Sequence, residues 1–354
     1  MEFIVLSAFL GFLVTLVGTP LAEKYLAASG IYGKDQNKTG KPKIPTSGGL
    51  IVLMGFLISI TFYAGATSIF TDTIVDKELL FAALASTILI ALIGLVDDIH
   101  IESLASSEDI EIVTGDSILH QKAELILGSG EAGEDRKGLS QSVKMLMVLP
   151  AAFPLIAAGA GSWTMVLPVL GEVQWGLIYP LILLPVGLLF VSNVVNMLAG
   201  TNGLSSGLSL VTALGLGIFG ILNGQLEAAM IAFGLAGALT GFIYYNWPPA
   251  SILPGDSLTY LCGAALFSTM VIGDMEKFGV FVFTLWFIEF FLKLRSRFNA
   301  HSWGKPDVGS LKPLYDKNYS LTHPLMRRGF TESQITATLI LVQIFIVLLG
   351  LILL

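Results

Sequence analysis

Charged residues are gathered into short segments of this chain and leave apolar runs of 15 to 20 residues between them. A run of that length, coiled as an α-helix, crosses a hydrocarbon core of about 30 Å. No other feature constrains the fold as strongly, because backbone removed from water has to satisfy its own hydrogen bonds, which a helix does. The runs lie near 3–19, 48–66, 79–96, 144–160, 176–193, 205–222, 228–245, 257–273, 278–294 and 333–354. The expected fold class is therefore an all-α polytopic membrane protein with ten transmembrane helices, residues 1–354 forming a single integral membrane domain. Only 13% of the residues are charged and 54% are hydrophobic, against about 25% charge in a typical globular domain. A soluble enzyme, a secreted disulfide scaffold and a disordered chain are excluded. Cys262 is the single cysteine, so no internal disulfide forms, and no Cys/His group has zinc-ligand spacing. Glu2 rather than a basic stretch precedes the first run, which reads as a retained helix and not a cleaved signal peptide.

Lys and Arg set the orientation. With the N-terminus outside, seventeen of them fall on the inner side and only Lys77 and Lys277 outside, a strong positive-inside bias. Both termini are expected outside. The inner loops, near 20–47, 97–143, 194–204, 246–256 and 295–332, are also the long ones, and long loops usually carry function. Chemistry is expected at the cytoplasmic face. Loop 97–143 holds eleven Asp/Glu against three Lys/Arg, and 103–135 reads as an acidic cytoplasmic insertion without a catalytic role.

Polar groups at the ends of apolar spans are costly and need a reason. Asp97 and Asp98 close the third run in GLVDDIH, where two carboxylates at the negative end of a helix repel unless something compensates them; the plain alternative is a solvated helix stop. Asn193, Asn196 and Asn202 lie within NVVNMLAGTNGLSSG. The first two share a helix face, Gly200 and its neighbours allow close approach of a ligand, and the alternative is a helix end followed by an Asn-Gly turn. Asp256 in PGDSLTY is either a helix cap or an oxygen ligand suited to Mg²⁺. The loop 295–332 carries His301, Lys305, Lys312, Lys317, His323, Arg327 and Arg328, which bind a phosphorylated ligand or simply face anionic lipid. Lys144 fits either a site or a snorkelling anchor. Gly215, Gly217 and Gly220 spell a dinucleotide-type pattern inside an apolar run, as do the paired Gly237 and Gly241 a small-residue stripe, and both read as helix packing. Glu289 stands four residues before Lys293 as its expected ion-pair partner. Together, carboxylates, amides and cations on one membrane face, without a nucleophilic Ser or Cys constellation, suit the joining of two phosphorylated anions.

The segments PKIPTSGGL, GLVDDI, NVVNMLAGTNGL and PGDSLTY occur in the order found in the polyprenyl-phosphate N-acetylhexosamine-1-phosphate transferases, which this chain resembles from about Gly33 to the last span. NMLAGTNGL, YNWPPA and GKDQNKT are most similar to the branch that uses UDP-N-acetylglucosamine and dolichyl phosphate. The resemblance implies a cytoplasmic active site that needs Mg²⁺, with Mn²⁺ as a substitute. It implies metal ligation by Asn196 and Asp256, and contact of Lys144, in SVKMLMVLP, with the donor pyrophosphate. Asn202 would bind uracil, with Gly200 near the ribose and a backbone contact from Gln36. Asp97 and Asp98 would stand at the acceptor side, Asp97 orienting or deprotonating the lipid phosphate. Asn193, Thr46, Leu253, His301 and His323 complete the expected substrate-binding set. The implied reaction yields dolichyl-diphospho-GlcNAc and UMP, the first step of lipid-linked oligosaccharide assembly. The implied partners are UDP-N-acetylglucosamine, dolichyl or another polyprenyl phosphate and membrane lipid, with no nucleic acid and with a homodimer allowed.

Departures from the pattern bear on the sugar. Leu253 stands where the eukaryotic enzymes stack a phenylalanine on uracil, Thr46 where they have a glutamate, and HSWGKPD at 301–307 replaces their arginine-rich sugar loop. THPLMRRGF at the tail is similar to bacterial members, with His323 where the muramoyl-pentapeptide branch has consecutive histidines. An archaeal member in a plasma membrane fits this mixture; a eukaryotic one would sit in the endoplasmic reticulum. The rival expectations are the same reaction with another UDP-N-acetylhexosamine or undecaprenyl phosphate and, in a different class, a secondary transporter.

Overall fold

The computed structural model describes residues 1–72, 74–99, 101–102, 136–137, 146–167 and 171–354. Lys144 and the acidic insertion 103–135 lie outside the described residues. Among the described residues, eight helices are long and apolar enough to cross a membrane: α1 (Glu2–Ala28), α2 (Gly49–Phe70), α3 (Lys77–Asp98), α5 (Leu184–Met197, entered through a π-helical turn from Tyr179), α6 (Leu204–Leu222), α7 (Leu226–Asn246), α8 (Gly255–Ile272) and α12 (Glu332–Leu353). The chain is thus mostly helical and built of membrane-crossing segments.

Two of the ten expected spans are not, over their described residues, single long helices. The described part of the fourth is an apolar helical stretch over Leu146–Ala157, interrupted by Pro150 and Pro154 and ending in α4 (Phe153–Ala157). Proline removes a helix hydrogen bond and crowds the preceding turn. The ninth is divided at Phe283 into α9 (Glu276–Val282) and α10 (Thr284–Leu294). The break leaves the Val282 carbonyl without its regular helical partner, and Gln343 in the middle of α12 supplies one, its Nε2 lying 2.8 Å from that oxygen and 2.9 Å from Thr212 Oγ1. The amide nitrogen of a polar side chain deep in an apolar bundle is thereby accounted for.

Among the described residues, four antiparallel two-stranded ribbons join the helices: β1 (Tyr32–Lys34) with β2 (Lys43–Pro45), β3 (Ile101–Glu102) with β4 (Arg136–Lys137), β5 (Thr164–Leu167) with β6 (Gly171–Gln174), and β7 (Gly304–Asp307) with β8 (Ser310–Pro313). A last short helix, α11 (Thr322–Arg327), precedes α12.

The bundle is organised around α8, which packs on α2, α3, α5, α6 and α7 and is buried at every position from Ser257 to Ile272. Outer helices show the reverse arrangement to a soluble protein. In α1, Val5, Phe9, Val17 and Leu21 are exposed while Ser7, Thr15 and Thr19 are buried; in α12, Leu341, Phe345, Leu348 and Ile352 face outward. Apolar surroundings make an apolar exterior cheap, so close packing and small residues hold the helices together. A methyl group on Gly241 would meet the Phe12 carbonyl at 2.7 Å and the Leu16 amide at 2.8 Å, and one on Gly217 would press on the Phe233 ring at 2.9 Å. The glycine patterns are close contacts between helices, with backbone at Gly237 and Gly241 and with side chains at Gly215 and Gly217, as their apolar setting suggests. Replacing Gly241 by leucine is expected to pry α1 from α7 and lower stability by about 1–3 kcal/mol, read as a reduced Tm in detergent, whereas Val17→Leu on the outer face leaves Tm unchanged.

Candidate active site

At one end of the bundle the C-termini of α3 and α5 meet the N-terminus of α8 and the loops 31–48, 198–203 and 247–254. They enclose a cavity of about 330 Å³ lined by Gln36, Thr46, Asp97, Asp98, Asn196, Gly200, Asn202, Leu253 and Asp256 among others. Nine of the side chains or backbone positions singled out in the sequence, separated by up to 220 positions, thus share one space.

Of the acidic pair at the end of α3, Asp98 is compensated by main-chain amides. Asp98 reaches across to α8, where its Oδ1 accepts the Asp256 amide at 2.7 Å and its Oδ2 the Ser257 amide at 3.1 Å. The first amides of a helix have no partner of their own and carry partial positive charge, so a buried carboxylate and an open helix end satisfy each other. Gly255, at φ +70°, makes the approach possible: a Cβ there would strike the Asp98 carboxylate. Asp256 is accordingly not the cap of its own helix but a first-turn residue that lines the cavity. Asp97 lines the cavity beside it.

Asn196 is the last residue but one of α5. Its Oδ1 is 3.0 Å from the Thr259 hydroxyl, which in turn is 3.1 Å from the Asp256 carbonyl oxygen. Thr259, one turn into α8, thus couples the amide and the aspartate. Asn193, a turn further back, does not line the cavity; its Nδ2 donates to the Leu189 carbonyl at 2.8 Å and its Oδ1 accepts from the Tyr260 hydroxyl at 3.2 Å. The loop carrying Thr46 is laced to the loop before α8: Leu253 N–H donates to the Pro45 carbonyl at 2.8 Å, Gly48 to Leu253 at 3.0 Å and Gly49 to Pro254 at 3.1 Å.

Neither histidine of the expected binding set lines the cavity. His301 stacks on Trp303 with ring centroids 3.9 Å apart, and Trp303 is the aromatic side chain in the cavity wall. His323 is fully buried. Its Nδ1 accepts from the Tyr319 amide at 3.1 Å, which places its proton on Nε2, 3.0 Å from the His301 carbonyl oxygen. Burial lowers its pKa below the ordinary histidine value, the hydrogen bond to His301 opposing that shift. The same loop is tied down by Glu289, which pairs with Lys293 at 3.8 Å as expected and also accepts from Ser302, Ser320 and the Leu321 amide. Asp35, Thr259, Trp303 and Glu332 were not distinguished by the sequence; all but the last line the cavity.

The donor set fits a hard divalent cation. Asn196, Asp256 and Asp97 offer only oxygen, and among the described residues no three His, Cys, Asp or Glu side chains gather to hold a metal unaided. Mg²⁺ is commonly held by one or two protein oxygens with substrate phosphates and water completing its shell.

A helical membrane protein with an oxygen-rich cavity at one end of its bundle is the frame that comparison with known proteins fills in. Residues 118–274 match the model of glycosyl transferase family 4. A protein of Sulfolobus acidocaldarius, provisionally named a UDP-N-acetylglucosamine–dolichyl-phosphate N-acetylglucosaminephosphotransferase, is 30% identical over 329 residues, 92% of this chain and 88% of the relative. Its provisionally named counterpart from Saccharolobus solfataricus is 29% identical, with 95% and 92% covered. The phospho-N-acetylmuramoyl-pentapeptide-transferase of Moorella thermoacetica is 32% identical over 64% of this chain and 60% of its own length. The chain belongs to glycosyl transferase family 4, the membrane phosphotransferases that its motifs resemble. It is an enzyme of the polyprenyl-phosphate sugar-1-phosphate transferase class.

Two measurements check this geometry. Asp98→Ala leaves two buried helix amides unpaired and is expected to cost about 1–3 kcal/mol, seen as a lower Tm, with Asp98→Asn retaining part of the loss because one amide oxygen remains to accept. For His323, the folded pKa lies below the unfolded one, so the unfolded chain binds more protons and stability falls as pH drops below about 6.5. Detergent-phase Tm measured from pH 7.5 to 5.5 should decline more steeply in the wild type than in His323→Ala; equal slopes would assign the decline to other groups.

Proposed function

We propose that this enzyme transfers N-acetylglucosamine-1-phosphate from UDP-N-acetylglucosamine to dolichyl phosphate, producing dolichyl-diphospho-N-acetylglucosamine and UMP. The observation that carries the proposal is the convergence of Asn196, Asp256, Asp97 and Asp98 with amide-bearing loops around a single cavity, in a chain similar over most of its length to an archaeal protein named for this activity. An oxygen of the lipid phosphate attacks the β-phosphorus of the donor. The bond from that phosphorus to the bridging oxygen breaks, and the oxygen leaves with UMP. No proton has to be removed from a phosphate dianion, so Asp97 is assigned to orienting the acceptor.

Asn196 and Asp256 are the residues that would hold Mg²⁺, or Mn²⁺ in its place. When bound, the cation supplies charge neutralisation between two anions that otherwise repel. Asp98 fixes the start of α8 and so the position of Asp256. Lys144 is assigned to the negative charge that accumulates on UMP. Gln36, Gly200, Asn202 and Leu253 face the nucleotide and sugar, and His301 and His323 act behind Trp303 by holding its loop.

In the membrane, the proposal gives the chain ten crossings, the broken segments 146–157 and 276–294 completing the eight long ones, with both termini outside. The cavity then opens to the cytoplasm, where nucleotide sugars are, and the distribution of Lys and Arg supports that orientation. The archaeal relatives favour a plasma membrane.

Purified protein in detergent, given labelled UDP-N-acetylglucosamine, dolichyl phosphate and Mg²⁺, should release UMP and form a labelled lipid diphosphate. Parallel reactions with other UDP-N-acetylhexosamines and with undecaprenyl phosphate define the donor and acceptor, and absence of UMP in every combination would refute the transferase. Asp256→Ala and Asn196→Ala should each lower turnover by about 10²-fold or more with Tm and elution volume preserved; wild-type turnover in either moves the metal elsewhere.

A further inference from the structure

The residues lining the cavity include two hydrogen-bonded groups. Asp98, Asp256, Thr259 and Asn196 are linked in one; Asp35, Asn37, Gly200 and Asn202 are linked in the other, and through Asn37 to Gly304, next to Trp303. On the proposed function, phosphate charge is handled by the first group, which leaves the second for the part of the donor beyond its phosphates. That second group is assembled from three segments far apart in the chain, around residues 34–37, 200–202 and 303–304. One direct link between them is Asp35, whose Oδ2 accepts the Asn202 side-chain amide at 2.9 Å.

They meet behind the wall on one carboxylate. Glu332 is the first residue of α12, is 6% exposed and does not itself line this cavity. Its Oε1 accepts the backbone amide of Asn202 at 2.9 Å and the side-chain amide of Asn37 at 3.2 Å, while its Oε2 is paired with the Lys38 ammonium. Asn37 extends the restraint: its Nδ2 is 2.8 Å from the Gly200 carbonyl oxygen, and its Oδ1 accepts the Gly304 amide at 3.0 Å. An ionised carboxylate can only accept, so the orientation of the Asn37 amide is fixed, with its oxygen left for the loop that carries Trp303. One turn further along α12, Thr336 donates to the Asn202 carbonyl at 2.9 Å and lies 2.9 Å from the Thr201 hydroxyl. The three segments are thus referred to a 22-residue helix anchored along the bundle.

We infer that Glu332 is a positioning residue for the donor: through Asn37, Lys38 and Asn202 it fixes the wall that receives the nucleotide-sugar beyond its phosphates, without touching the lipid acceptor or the reacting atoms. The inference rests on the proposed function, and the wild-type reaction separates the two. Initial rates are measured with UDP-N-acetylglucosamine and dolichyl phosphate varied in turn, together with Tm, for the wild type, Glu332→Gln, Lys38→Met and the double variant. Glu332→Gln keeps an accepting oxygen for the two amides but sets an N–H group against Lys38. It should raise the donor KM by about tenfold, the scale of one charged hydrogen bond, while the lipid KM and kcat change by about twofold or less. Removing the stranded cation in the double variant should restore the donor KM to within about threefold of the wild type. An unchanged donor KM in Glu332→Gln overturns the inference, as does a parallel rise of both KM values with a lowered Tm, which marks general loosening. Should Glu332→Gln not accumulate as a folded species, Lys38→Met is read by the same criteria. A wild type that releases no UMP overturns the proposed function and this inference with it.

Discussion

A carboxylate at the end of one helix closing the open end of another is the contact on which the rest of this molecule's chemistry depends. Asp98 accepts the first two amides of α8 that point into the site, and α8 is the helix around which the bundle is packed. Within an apolar bundle neither partner could be left alone: an unpaired buried carboxylate and unpaired buried amides each cost several kcal/mol. Their pairing fixes where Asp256 stands relative to Asp97 and, through Thr259, relative to Asn196. The start of α8 and the end of α3 are ordered by mutual need.

The same economy runs through the supporting shell. Each buried acid outside the cavity serves several donors at once, Glu289 taking Ser302, Ser320, the Leu321 amide and Lys293, and Glu332 taking Asn37, Lys38 and the Asn202 amide. Such carboxylates gather loops that have too little apolar surface to pack by themselves. The ribbons beside the cavity are only three or four residues long, so their placement comes from these anchors and not from sheet formation.

Much of this was legible in the sequence because polarity inside an apolar chain is conspicuous. Long apolar runs announced the helices, and DD, NVVN, TNG and PGD were visible as interruptions that needed a purpose. The span divided at Phe283 illustrates the limit. FGVFVFTLWFIEFF shows no breaker at Phe283, and the hydrogen bond that makes the break tolerable comes from Gln343, some sixty residues away. The same holds for the site. Glu332 follows Thr331 and precedes Gln334, the capping-box pair of an ordinary helix start, so its sequence neighbourhood explains it completely without reference to Asn37 or Asn202. Asp35 lies among other polar residues of a loop. His301 and His323 had the opposite fate: their residue type drew attention, but the buried His323 is held by backbone groups of its own loop and His301 stacks on Trp303.

The contacts between α1, α2 and α7 carry a consequence for how such a chain can drift. At Gly11, Gly55 and Gly241 main chain of one helix lies against main chain of the next, and even an alanine would demand that a whole helix retreat. A few ångströms away, Val5, Phe9, Val17 and Leu21 look outward and can exchange with any residue soluble in oil. Neighbouring positions of one helix therefore live under opposite rules: the residues with the least chemistry are the ones frozen in place, and the bulky ones record little but the passage of time.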